Sequence, residues 1–412
     1  MPRLEPLARG LQRVTAQALG PYQSAVVRIG FAATWLLFLL RELPHRNELY
    51  GPDGPWGWDM ARQVIAENDA FTVLMWSDAQ LWFQLVYGFA MLTSALLLLG
   101  WRTRTMSVLF MIGVLSLQNR SIFMGDGGDN VIHLMAIYLV FTRCGQVWSL
   151  DARRRTRARA EGGDRVGPAL WGVLGLALAL VTGMGELGWF WLVLFWGLWA
   201  SQGLWWAAGR HAPRGPQRLL LDVVANLVHN AALLVIMVEA CLIYATAGWY
   251  KIQGSRWQDG TAVYYPLNLD YFSPWPALSE LLSSHGVMIM IITYGTVIVQ
   301  VAFPFTLLNR RVKNVLLTLM ICEHAVIAVV LGLPFFSLAM IAADAVFLPT
   351  SFLRRLGTWA ARARGALSAR LPLSRLSRGS RPARVPAGPQ TAPQGGRSAQ
   401  GSAEHARVGF GA

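Results

Sequence analysis

Lys251 is one of two lysines among thirty-six basic residues, and the other, Lys313, follows Arg310 and Arg311 in a plainly basic run. Arginine stays charged at any ordinary pH, whereas lysine, once desolvated, can give up its proton and serve as a base. A genome biased toward arginine codons would also leave few lysines, so the position must speak for itself. Lys251 ends a long apolar run and opens a stretch of glycine and tryptophan, Gly248-Trp249-Tyr250-Lys251-Ile252-Gln253-Gly254, then Trp257 and Gly260. On a helix, Tyr244, Gly248 and Lys251 fall at i, i+4 and i+7, which is one face. Gly248 would let a helix or a ligand approach that face closely. Glu239 lies about 120° round the same helix and His229 about 33 Å along it, so neither is a near neighbour of Lys251.

Other ionisable groups stand where apolar residues are expected. Asp129 and His133 share a helical face at i, i+4. They suit a base with its orienting partner or half of a metal site, and equally a glycine-rich turn, Gly125-Asp126-Gly127-Gly128-Asp129, with a capping aspartate. No second cluster of His, Asp or Cys completes a metal pattern, so no metal is expected. Glu323, His324 and Asp344 fall within apolar segments, a costly placement that is a functional hypothesis by default. They could also pair among themselves to fix a hairpin. Arg28 sits inside the first apolar run, where it can snorkel or bind an anionic group. Arg120 lies beside the glycine-aspartate loop.

Positioning these residues requires a membrane-type scaffold. The chain is 54% hydrophobic, 14% charged and carries eighteen tryptophans, values foreign to a soluble domain of this length. The expected fold is all-α, a polytopic integral membrane helix bundle of eight to ten spans. Candidate segments are 22–41, 80–100, 105–123, 129–146, 168–185, 187–207, 222–249, 287–308, 313–332 and 335–353. The net charge of +14 does not point to nucleic acid, because the arginines cluster between apolar segments and in the tail. With the N-terminus inside and ten crossings, the inner segments hold eighteen basic residues and the outer ones six. This bias predicts cytoplasmic termini, and a bacterial plasma membrane is the expected location. Cys144, Cys241 and Cys322 have no metal or redox spacing and read as core or lipid-facing thiols.

Three regions follow. Residues 1–21 form a basic lead-in and 22–353 the transmembrane domain. Residues 354–412, rich in Arg, Ser, Pro, Gly and Ala, read as a disordered cytoplasmic tail. The glycine- and aromatic-rich loops gather on the outer face, where a site opening outward is expected.

The run Tyr-x-x-x-Gly-x-x-Lys-Ile-x-Gly-x-x-Trp-x-x-Gly-x-Ala, from Tyr244 to Ala262, resembles the horizontally transferred transmembrane domain family. That family includes the vitamin K-dependent γ-glutamyl carboxylase. Gly100-Trp101-Arg102-Thr103-Arg104, Gly127-Gly128-Asp129, Trp148-Ser149-Leu150-Asp151 and His324 fit the same order, so the resemblance covers roughly residues 22–350. The hairpin at 168–207 looks like an insertion. In the carboxylase the lysine of this motif deprotonates vitamin K hydroquinone. The resemblance therefore implies a menaquinone-like lipid quinol as cofactor and Lys251 as general base. The candidate site taken from the residues adds His324, Asp129 and His133 as catalytic groups, with Arg28, Arg120, Tyr244, Gly248, Trp257 and Gly260 expected to bind substrate or cofactor.

The expected function is a carboxylase-like membrane enzyme acting with a lipid quinol on a peptide or small molecule at the outer face. Two alternatives stay open. One is a maturation or export factor for a secreted peptide, in which Lys251 binds a carboxylate. The other is a non-catalytic lipid-binding membrane protein. The bilayer is the expected partner, with a secreted peptide as substrate.

Overall fold

The computed structural model describes residues 5–68, 70–157 and 164–370, and within them every regular element is helical. Two compact units are distinguished, Met1–Gly357 and Thr358–Ala412. The helices that build the first unit are α1 (Glu5–Ala16), α2 (Pro21–Glu42), α3 (Gln80–Leu99), α4 (Thr103–Arg120), α5 (Gly127–Val140), α6 (Val166–Met184), α7 (Trp189–His211), α8 (Pro216–Gln253), α9 (Gly286–Ala302), α10 (Arg310–Val330) and α11 (Pro334–Asp344). A twelfth helix, α12, covers Thr350–Arg370. The sequence reading begins a disordered tail at 354, but α12 is helical to Arg370, and the rest of that tail lies outside the described residues.

Local chemistry explains the boundaries. Pro21, Pro216 and Pro334 open α2, α8 and α11, where a missing N–H costs nothing and φ is already helical. Asp126 caps α5 by accepting from Gly128 N and Asp129 N, and Asn309 caps α10. Gly100 ends α3 with φ +71°, and a Cβ there would lie 2.4 Å from Ser149 Cβ. Glycine is needed at that position for both conformation and space.

Helix α2 is the axis of the core. It packs against α3, α5 and α11 and buries Phe31, Trp35 and Leu39. Around it, α4 packs on both α3 and α5, α11 on α10, and α8 on α9. The hairpin of α6 and α7 turns at Gly185 (φ +74°), as the segments near Met184-Gly185-Glu186 predict. Its two helices lock through a reciprocal pair. The Trp171 and Trp199 rings stack at 4.1 Å, and each indole N–H donates to the other residue's carbonyl. Gly175 lies under the Trp199 ring and Gly203 under the Trp171 ring.

Six helices are long and apolar enough to cross a membrane: Pro21–Glu42, Gln80–Leu99, Val166–Met184, Pro216–Gln253, Gly286–Thr306 and Arg310–Val330. A seventh is reached if the bent pair Pro334–Phe347 and Thr350–Ala366 is one span. This is fewer than the eight to ten expected from sequence. The remaining candidate segments are helical but fall short for different reasons. α5 has 14 residues and α11 has 11, about 21 and 17 Å of helix against a hydrocarbon layer of about 30 Å. α4 carries Arg104, Gln118, Asn119 and Arg120, and α7 carries six tryptophans, which lowers its mean hydropathy.

Candidate functional site

The 38-residue helix α8 presents Tyr244, Gly248 and Lys251 on one face, as their spacing predicts, with Tyr244 and Gly248 buried and Lys251 half-buried. Gly248 is where α9 comes close: a Cβ there would lie 2.5 Å from Val301 Cγ2. That approach brings Gln300, the neighbour of Val301, to Lys251. Lys251 Nζ donates to Gln300 Oε1 at 2.6 Å, and Gln300 Nε2 donates to Glu323 Oε1 at 2.7 Å. One buried amide thus carries polarity from α8 through α9 to α10. Its two ends are fixed by chemistry: the oxygen accepts from a lysine N–H and the NH2 donates to a carboxylate.

A second chain begins beside the first, because His324 follows Glu323. The Tyr244 hydroxyl donates to Asp344 Oδ2 at 3.0 Å and meets His324 Nε2 at 3.1 Å. A hydroxyl has one proton. With that proton on the Asp344 bond, the oxygen accepts from His324 Nε2–H, which leaves Nδ1 as a bare acceptor. His324 Nδ1 has no hydrogen-bond partner, and neither has Asp344 Oδ1. His324 is 2% exposed and Asp344 fully buried. Two buried acceptors without donors are a rare and costly arrangement.

Beyond Lys251 the chain folds back. Gly254 N bonds the Lys251 carbonyl, a short helix over Ser255–Gln258 follows, and Gly260 turns with φ +76°. This return sets the Trp257 ring 5.3 Å from Lys251 Nζ, within cation–π range. Gly260 rests on Met290 and Tyr294, and the Tyr294 hydroxyl donates to the Gln258 carbonyl. Trp257 therefore faces the lysine, while Gly260 serves the turn that puts it there.

Four of the residues named from sequence act elsewhere. Asp129 and His133 do not pair. The Asp129 carboxylate accepts from Asp126 N at 3.0 Å in a capping box, so the capping alternative holds, with Asp126 as the N-cap. His133 Nδ1 meets Gln118 Oε1 at 3.1 Å, and the same amide donates to the Asp129 carbonyl. The Gly128 turn packs on Phe336, whose ring lies 5.6 Å from that of His324. This neighbourhood is shared, but among the described residues no hydrogen bond joins Asp129 to the lysine network. Among the described residues no group of three His, Cys, Asp or Glu is placed to hold a metal.

Arg28, fully buried, does not snorkel. Its guanidinium donates to the carbonyls of Leu97, Leu98, Cys144 and Trp148. It closes the C-terminus of α3 and the loop after α5. Asp151 completes this joint by accepting from Arg102 N, Thr103 N and Thr103 Oγ1 at the start of α4. Arg102 and Trp148, both at positive φ, are held there. The Gly100–Arg104 and Trp148–Asp151 motifs are thus two halves of one structural knot. Arg120, 1% exposed, donates to the carbonyls of Gly51 and Trp56 and ties down the first long loop, and its Nη1 has no partner.

Sequence reading missed Gln300 and gave Glu323 and Asp344 no place in the site. Gln300 is the one amide in the apolar run Gly286–Ala302, and that isolation was the available signal. No family model, curated protein or solved structure matches the chain.

Proposed function

We propose that the protein is an integral membrane enzyme that works with a lipid hydroquinone, with Lys251 as the general base. The observation that carries this reading is the linked polar chain at one end of α8. Lys251 is held by Gln300 and Glu323, next to the buried acceptors His324 Nδ1 and Asp344 Oδ1. A hydroquinone brings two O–H donors: one would be accepted at His324 Nδ1 or Asp344 Oδ1, which lack donors, and the other would present its proton to Lys251, with Trp257 supplying an aromatic face beside the lysine. Bound there, the quinol supplies the redox chemistry. Lys251 takes a proton at Nζ from a quinol hydroxyl, and Gln300 fixes the direction of its lone pair. Tyr244 holds His324 in the tautomer whose Nδ1 can accept.

The resemblance of Tyr244–Ala262 to the carboxylase motif extends the reading to carboxylation of a secreted peptide or small substrate, with dioxygen as the oxidant of the quinol and carbon dioxide as the group that replaces the abstracted proton. The proposed setting is the bacterial plasma membrane, with cytoplasmic termini and the Lys251 end outward, on the arginine distribution. The test is turnover of a reduced naphthoquinone by the purified protein. Lys251→Arg keeps the charge but cannot act as a base, so turnover is expected to fall about a hundredfold or more while quinol binding persists. Unchanged turnover would overturn the assignment.

A further inference from the structure

A cavity of about 800 Å³ lies away from Lys251, walled by α3, α4, α6, α7 and the first half of α8. Its volume falls within the range of about 300–1,000 Å³ typical of small-molecule sites. It exists because the α6–α7 hairpin stands off the bundle. Gly175 is the sole buried residue of α6 and Phe195 that of α7. The walls are apolar over most of their height, with Phe89, Leu109, Leu178 and Leu198 among them. From Phe195 to Trp205 the lining of α7 spans about 15 Å.

One end is different. Trp205 lines the cavity, and three guanidiniums gather on its ring: Arg104 at 4.0 Å, Arg218 at 4.3 Å and Arg143 at 5.5 Å. They come from three helix ends, the start of α4, the start of α8 and the loop after α5. One carboxylate, Asp222, answers them, pairing with Arg218 at 3.0 Å and Arg143 at 3.8 Å. Arg143 also bonds Asn226, and Arg218 the Trp205 carbonyl. Arg104 makes no hydrogen bond or ion pair with any described residue, and its surface is open. The cluster therefore carries an excess of positive charge and one guanidinium whose five donors are uncommitted.

An apolar shaft ending in surplus arginine is complementary to an amphiphile with an anionic head. We infer that the cavity is a binding site for an anionic phospholipid, with an acyl chain between the hairpin and the bundle and the phosphate on Arg104, Arg143 and Arg218. Arg104 supplies the direct contact, because the other two are already committed to Asp222. The polar pair Thr105–Gln202, Nε2 to Oγ1 at 3.1 Å, lines the same end and suits the glycerol region. The lipid fills the gap that the hairpin leaves, so it fixes the hairpin to the bundle. This site is independent of the quinol reading, since Lys251, Tyr244 and His324 do not line it.

The test is native mass spectrometry of the full chain in mild detergent. The probes are phosphatidylglycerol, phosphatidylcholine with the same acyl chains, and inorganic phosphate. One phosphatidylglycerol per chain is expected to be retained, with phosphatidylcholine bound at least about fivefold more weakly. Arg104→Gln should weaken phosphatidylglycerol about fivefold and leave phosphatidylcholine unchanged. Ala177→Trp, which fills the shaft, should weaken both, with Leu109→Trp as a second cavity-filling variant. Equal retention of the two lipids, or phosphatidylglycerol binding unmoved by Arg104→Gln and by the filled cavity, would mean bulk lipid only and overturn the proposal. Displacement by phosphate alone would overturn the part played by the acyl chain.

Discussion

Lys251 and Gln300 are 49 residues apart in sequence and 2.6 Å apart in space. If their bond aims the lysine, Gln300→Leu should lower quinol turnover while leaving quinol affinity nearly unchanged. A double-mutant cycle of Gln300→Leu with Glu323→Gln should show coupling of about 0.5–3 kcal/mol in unfolding free energy, and additivity would break the relay. Arg28 has the opposite character. Arg28→Met would strand the carbonyls of Leu98, Cys144 and Trp148, each at a cost of about 1–3 kcal/mol. Thermal unfolding in detergent should report a large loss of stability, and a near-native melting temperature would contradict the structural role. Lys251, Tyr244 and Gly248 were legible as one helical face because they lie on one element. Gln300 was not, because its meaning depends on how α9 docks at Gly248, and periodicity within one helix carries no information about docking. The same limit misassigned Arg28: a buried arginine reads as a ligand group until the carbonyls it closes are seen.

Helix types and most turns followed from local chemistry. The Gly185 turn, the proline starts and the aspartate cap each act within a few residues, so the sequence carries them directly. The number of spans is not carried locally, because α5 and α11 are short helices whose apolar residues are buried in the bundle. Asp129 and His133 show the matching error in the site: their i, i+4 spacing is real, but the Asp126 cap and Gln118 engage them separately. Within the hairpin, the Trp171–Trp199 lock requires glycine at 175 and 203. Gly175→Leu should push the rings apart and cost about 1–3 kcal/mol by overpacking. The expected readout is a lower melting temperature together with weaker phosphatidylglycerol retention. Loss of neither would mean that the hairpin is held by other contacts.

At the scale of the molecule, two polar centres are separated along α8. The first half of the helix lines the arginine end of the cavity and the last turns carry the lysine network. The arginine distribution proposes which end faces the cytoplasm. In a chain with Cys144, Cys241 and Cys322 replaced, a membrane-impermeant maleimide should label Ser284→Cys in intact cells and Thr156→Cys only after disruption. The reverse pattern would invert the topology and with it the outward-opening site. The central claim is that Lys251 is a base in a carboxylation-type reaction. Its most direct test is comparative mass spectrometry of secreted peptides from cells carrying the wild-type protein, Lys251→Ala or Lys251→Arg. A peptide that gains the mass of one carboxyl group is expected in the wild type, and the gain is absent in both variants. A modification that persists in Lys251→Arg would contradict it, because arginine keeps the charge and cannot take the proton.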